Sequence, residues 1–255
     1  MRKFRWRRAA HLLPAAALTL AALGGCGRAV HQSWPSPPAM QLVPGDAYAA
    51  VVQTNYGTFS VDLFAAQDPV AVNNFVFLAR HGFYNGLHFF RVIKGFMVQT
   101  GDPQNIGIGG PGYRFGDELP PPCKYGPGIV AMANSGPNTN GSQFFVCTGA
   151  TCANLNSDPV YTELGAVTSG QQVVDRIAAL PVAANPLNPS EISAPKRVAR
   201  MIRVTISQGP GGPADAGAAA GSCPVAGAAP SAPAASTSAS APASSSVASS
   251  SSSSS

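Results

Sequence analysis

A single arginine, Arg91, stands in the run FFRVIKGFMVQTGD, which extends from Phe89 to Asp102 and is dominated by Phe, Val, Ile and Met. A guanidinium in such surroundings must find acceptors or reach solvent, because burying it unpaired is costly. Phe96 and Met97 follow shortly after, and then the amide of Gln99. These types at this spacing suit a shallow apolar notch with a charged donor and an amide at its rim. Such a site would hold something apolar while hydrogen-bonding to its backbone. The same residues also suit a plain core strand whose arginine reaches solvent, and the stretch alone does not decide between the two.

Other reactive side chains offer less. Ser142 in NGSQ and His88 in LHFF supply a hydroxyl and an imidazole, but the G-x-S-x-G elbow of a serine hydrolase is absent. Cys147 and Cys152 have no second ligand pair, so no metal site is expected. The glycine-rich stretch NIGIGGPGYRFGDE lacks the GK[ST] of a phosphate-binding loop, and its glycines instead permit tight turns and close approach of a ligand backbone.

The elements that must position these groups are mostly strands. Ala47 to Thr54 is β-rich, Asn55-Tyr56-Gly57 is a turn, and Phe59, Val61 and Leu63 alternate with polar residues. Asp68-Pro69 predicts a helix start with Asp68 as N-cap, and Val72, Phe75, Val76 and Ala79 form its apolar face up to Gly82. Further strands are predicted at Ile129–Ala133, Gln143–Cys147, Tyr161–Val167 and Val198–Ser207, with a second helix at Gln171–Leu180. Many strands without βα alternation argue for an antiparallel barrel or sandwich.

The two ends of the chain are different in kind. Arg2, Lys3, Arg5, Arg7 and Arg8 precede an apolar run that is short for a membrane span, the pattern of a signal peptide over residues 1–25. Without them, the 16 Lys plus Arg no longer exceed the 11 Asp plus Glu, so net charge gives no support to nucleic-acid binding. Residues 26–45 read as a tether, 46–208 as the folded domain, and the Ala/Ser/Pro/Gly-rich 209–255 as a disordered tail. Of the cysteines, Cys123 and Cys152 are the expected disulfide, Cys147 a buried thiol and Cys223 an exposed one.

Two resemblances sharpen this reading. Leu23-Gly24-Gly25-Cys26 resembles the lipobox of bacterial lipoproteins, which implies a lipid anchor on Cys26 and a domain on the extracytoplasmic face of the cell membrane. FFRVIKGFMVQTGDP is similar to the FHR-[VI]-I-x-x-FM-x-Q-x-GD segment of the cyclophilins, and MANSGPNTNGSQFF matches their MANxGPNTNGSQFF almost letter for letter. The cyclophilin resemblance covers roughly Tyr48 to Ile206. It implies a mainly β fold, a closed eight-stranded antiparallel β-barrel capped by two α-helices. It also implies peptidyl-prolyl cis/trans isomerase activity on proline-containing polypeptides by a monomer, without cofactor, metal or nucleic acid. By motif, Arg91 is the catalytic arginine with Gln99 beside it, and Phe96, Met97, Phe145 and Leu155 resemble the proline pocket. Asn134 and Gln143 resemble groups that bind peptide backbone or orient the arginine, while Ala133 and Ser135 flank the neighbouring pocket. Three departures stand out: Phe90 replaces a histidine, Tyr161 replaces the rim histidine, and Cys152-Ala153-Asn154 occupies the area of a tryptophan. Loss of that tryptophan implies weak cyclosporin binding.

Overall fold

Alternating apolar residues around a Tyr-Gly turn give the first hairpin, β1 (Asp46–Thr54) and β2 (Gly57–Leu63). After it come α1 (Pro69–Arg80), β3 (Arg91–Ile93), β4 (Met97–Thr100), β5 (Ile129–Met132) and β6 (Phe144–Cys147). A 3-10 helix (Ala150–Ser157), β7 (Glu163–Ser169), α2 (Gln171–Ala178), β8 (Val182–Asn185), β9 (Asn188–Pro195) and β10 (Met201–Pro210) complete the order. The computed structural model describes residues 32–210 and Cys223. The signal peptide, Cys26 and nearly all of the tail lie outside them.

Eight strands form one antiparallel sheet in the order β10-β1-β2-β7-β5-β6-β4-β3. The expected closed ladder is not what is seen, because β10 and β3 do not pair as strands. Instead the chain leading into β3 meets the start of β10. Gly86 N donates to Met201 O at 2.7 Å, Met201 N to Leu87 O and Phe89 N to Ala199 O at 2.9 Å, around a lone His88–Arg200 bridge. The three residues of β3 pair with β4 alone. Residues 182–195, which the sequence left unassigned, form a separate two-stranded sheet, β8 with β9, that packs against β3.

β5 and β6 are apolar on both faces and β4 is so at Met97 and Val98, and the period of two sorts their side chains. Val98, Val130, Met132, Phe144 and Val146 enter the main core, whereas Met97, Ile129, Ala131, Phe145 and Cys147 belong to a second cluster. The two clusters thus lie on opposite faces of these strands.

Three expectations are corrected here. Asp68 makes no capping bond. The carboxylate of Glu118 caps α1 instead, accepting from Val70 N at 3.0 Å and Ala71 N at 2.9 Å. From Gln32 onward the predicted tether belongs to the folded unit: Trp34 meets the ring of Phe77 edge-on at 5.2 Å, and Asn73 binds the backbone of Ala39 and Gln41. An apolar Trp34 and Leu42 can bury themselves without any periodicity to announce it. The cysteines pair as Cys147–Cys152 and Cys123–Cys223, with Cα separations of 5.8 and 5.6 Å. The turn at Thr148-Gly149 folds Cys152 back beside Cys147, and this replaces the expected Cys123–Cys152 bond.

Candidate active site

Register builds the site. Arg91 of β3 lies opposite Gln99 of β4, Gln99 opposite Phe145 of β6, and Phe145 opposite Ala131 of β5. Residues in such a row share one face of the sheet. Met97, two residues before Gln99, shares that face and packs with Phe145 beneath it. Both are nearly fully buried, and the half-buried Phe96, Ala133, Leu155 and Tyr161 surround them. The Phe145 and Tyr161 rings meet edge-on, centroids 5.4 Å apart, a favourable quadrupole arrangement. Tyr161 is fixed through its backbone by the Tyr125 hydroxyl, which donates to its carbonyl and accepts from its N–H at 3.1 Å. Burial raises the Tyr125 phenol pKa, so that hydroxyl keeps its proton.

A chain of amides orients the donor. Arg91 Nη1 donates to Gln99 Oε1 at 3.1 Å, Gln99 Nε2 to Gln143 Oε1 at 3.0 Å, and Gln143 Nε2 to the Gly109 carbonyl at 2.9 Å. Gly109 sits in the glycine-rich loop, and that loop is shaped by a residue the sequence reading gave no role. Asp102 is fully buried; its carboxylate accepts from the backbone N–H of Gln104, Ile106, Gly107 and Ile108 at 2.5–3.1 Å. Asx turns of this kind are a signal in the sequence, since Asp102-Pro103 follows Gly101 directly. The loop, Gln99, Gln143, Ala133, Asn134 and Ser135 line an open cavity of about 720 Å³ next to the notch. Asn134 lies apart from the amide chain, its Nδ2 donating to Val160 O at 2.9 Å. Ser135 is an exposed rim residue. Phe90, where the motif carries histidine, packs its ring on Gly107 of the same loop.

Arg91 has a second partner, again unforeseen. Its Nε donates to Glu191 Oε1 and its Nη2 to Glu191 Oε2, both at 2.8 Å. The side chains of Arg91 and Glu191 stay 29% and 26% exposed, so the pair is not sealed off. The Arg91 hydrogen bond, aided by Ser193 and Asn185, holds the Glu191 carboxyl well below its ordinary range, at about 2. Glu191 is a lone acid between Asn188 and Ile192, and only the fold brings it to Arg91. Ser142 and His88 form no catalytic couple. Ser142 is fully buried with its Oγ donating to Gly101 O, and His88 takes part in the seam bridge to Arg200.

The residues thus form an apolar notch with an amide-braced guanidinium on its edge. The chain belongs to the cyclophilin-type peptidyl-prolyl cis-trans isomerases, whose family model matches residues 49–199. It is 42% identical over 145 residues to the human peptidyl-prolyl cis-trans isomerase-like 1, covering 54% of this chain and 86% of that protein. It is 43% identical over 138 residues to the chicken peptidyl-prolyl cis-trans isomerase-like 3, covering 52% and 84%. A crystal structure of a Cryptosporidium parvum cyclophilin-type isomerase superposes with a TM-score of 0.57 at 32% identity, covering 64% of this chain and 99% of that one. The chain is thus an enzyme of the peptidyl-prolyl isomerase class. These relatives are eukaryotic, and the matched residues exclude the lipobox.

Proposed function

We propose that this isomerase accelerates rotation about X-Pro bonds in exported or cell-envelope polypeptides while tethered to the membrane through a lipid on Cys26. The observation that carries the catalytic part is the row Arg91–Gln99–Phe145 on the outer face, with Met97 packed beneath it. Rotation about a prolyl amide faces a barrier of about 18–20 kcal/mol from resonance. At the twisted midpoint the prolyl nitrogen becomes pyramidal and offers a lone pair. In this scheme the ring sits against Met97, Phe96 and Phe145, while Gln99, Gln143 and the loop fix one side of the bond. An Nη–H of Arg91 then donates to the nitrogen in the twisted form and to neither planar isomer, which is differential stabilisation. A charge-assisted hydrogen bond of about 1.5–3 kcal/mol corresponds to roughly 10- to 100-fold in rate. The fold part of the same reading has the seam at Gly86–Phe89 and Ala199–Met201 closing the sheet into a barrel.

A related Cryptosporidium structure was determined in the presence of the dipeptide Ala-Pro, which makes a short prolyl peptide a reasonable probe. Isomerisation of an Ala-Pro tetrapeptide should fall about 10- to 100-fold in Arg91→Ala while the fold is retained. Unchanged activity in that variant would remove the mechanism. A second reading, a groove that clasps proline segments without turning them over, draws on the Glu191 ion pair; binding without rate enhancement in the unmutated protein would favour it. For the anchor, the test is the mass of the mature N-terminus, where an unmodified Cys26 would refute lipidation. The lack of tryptophan beside Cys152 supports weak inhibition by cyclosporin.

A further inference from the structure

We propose that Glu191 is a positioning residue for the isomerisation: it grips Arg91 by the Nε–Nη2 edge and turns the remaining Nη hydrogens toward the prolyl nitrogen. The proposal rests on the isomerase reading above. A guanidinium carries five N–H donors. Glu191 takes one on Nε and one on Nη2, and Gln99 takes one on Nη1. One hydrogen is left on each Nη, while the single Nε hydrogen is taken by Glu191.

The direction of approach separates positioning from masking. Glu191 arrives on β9, which packs against β3 from a separate sheet, whereas the sheet neighbour of β3 is β4. Gln99, Gln143 and the apolar notch all stand on the β4–β6 side of Arg91. The carboxylate thus reaches the guanidinium from a different element than the one carrying Gln99, and it engages Nε and Nη2 while Gln99 engages Nη1. It offsets the charge of the group but leaves the dipoles of the two N–H groups it and Gln99 do not engage.

The carboxylate is itself braced. Glu191 and Ser193 alternate along β9 and so share a face, and the Ser193 hydroxyl donates to Glu191 Oε1. Asn185 of β8 donates to the same oxygen at 3.4 Å and to Ser193 Oγ at 3.2 Å. Ser193 is fully buried, so the brace is anchored inside the hairpin. Two planar bidentate groups held from both ends fix the guanidinium orientation before substrate arrives, and restricting a catalytic donor in this way acts on the rate of the bound state.

The test compares the unmutated protein with Glu191→Ala, Glu191→Gln and Arg91→Ala on an Ala-Pro tetrapeptide, alongside the amide-type Nε–H resonance of Arg91 by NMR. Glu191→Ala should lower kcat roughly tenfold with KM within about twofold, and the Arg91 Nε–H signal should broaden into exchange with water. Glu191→Gln keeps the volume and one acceptor, so it should recover part of kcat; it also serves if the alanine variant does not fold. An unchanged kcat in both Glu191 variants, with Arg91→Ala impaired, overturns the positioning role alone. A raised kcat overturns it in favour of masking. An unmutated protein without activity, or an Arg91→Ala variant as active as the unmutated chain, overturns the isomerase reading on which it stands.

Discussion

Replacing Glu163 by glutamine should reshape the pH dependence of stability, and the expected size follows from the burial of its carboxyl. Glu163 opens β7 and is fully buried; its Oε2 accepts from Cys123 N at 2.8 Å, while Oε1 has no partner. Asp68, ahead of α1, is 2% exposed and likewise has an unpartnered Oδ2. Burial pushes the Glu163 carboxyl from its ordinary 4.5 up to about 7. Burial, then the charges of Glu118 and Glu163, push Asp68 from 3.8 up to about 8. Between about pH 4.5 and 7 the unfolded chain has released the Glu163 proton and the folded chain retains it. Folding then takes up a proton, so stability is full below the lower pH and declines as pH rises through the interval. At about 1.4 kcal/mol per unit of pKa, Glu163 alone accounts for roughly 3 kcal/mol of that decline. Urea unfolding of both proteins from pH 4.5 to 8 should show the unmutated chain losing about 3 kcal/mol relative to Glu163→Gln. His88, whose pKa is lowered first by burial and then by Arg200, contributes the opposite slope near its own titration but cancels in the difference. A stability difference that does not change with pH would refute the reasoning, because the carboxyl would then titrate alike in both states.

The remaining predictions are shorter. Glu118→Ala should destabilise by about 1 kcal/mol in urea unfolding, since it frees the Val70 and Ala71 N–H groups at the start of α1; Asp68→Ala should show no comparable capping loss. Alkylation of the unreduced, oxidatively folded protein should leave Cys123, Cys147, Cys152 and Cys223 unlabelled by mass spectrometry, and label on Cys147 would restore it to a free thiol. Phe145→Ala should cost roughly 3–5 kcal/mol of stability and raise KM for a prolyl peptide, because it removes the floor shared with Met97 and Tyr161.

Much of the site was legible because its chemistry is concentrated in two short segments. Arg91, Phe96, Met97 and Gln99 lie within nine positions, and a tight turn at Lys94-Gly95 is enough to place Arg91 opposite Gln99. Gln143 and Phe145 were readable by motif, and strand pairing then puts Phe145 against Gln99. Asn134 is expected in the backbone-binding group by motif, and its amide also donates to Val160 O, a contact no local pattern indicates. The helix starts at Pro69 as expected, while its cap is the Glu118 carboxylate, 48 residues beyond Val70, rather than Asp68.

From the chain of letters alone came the strand periods, the helix positions and the composition of an apolar notch beside an arginine, since each depends on neighbours a few residues apart. Tertiary structure decided what closes on that notch from afar. Glu191 is 100 residues from Arg91, and Cys223 is 100 from Cys123. Such partners are fixed by register, by turns and by where a hairpin docks, and a local period of two or 3.6 carries no record of them.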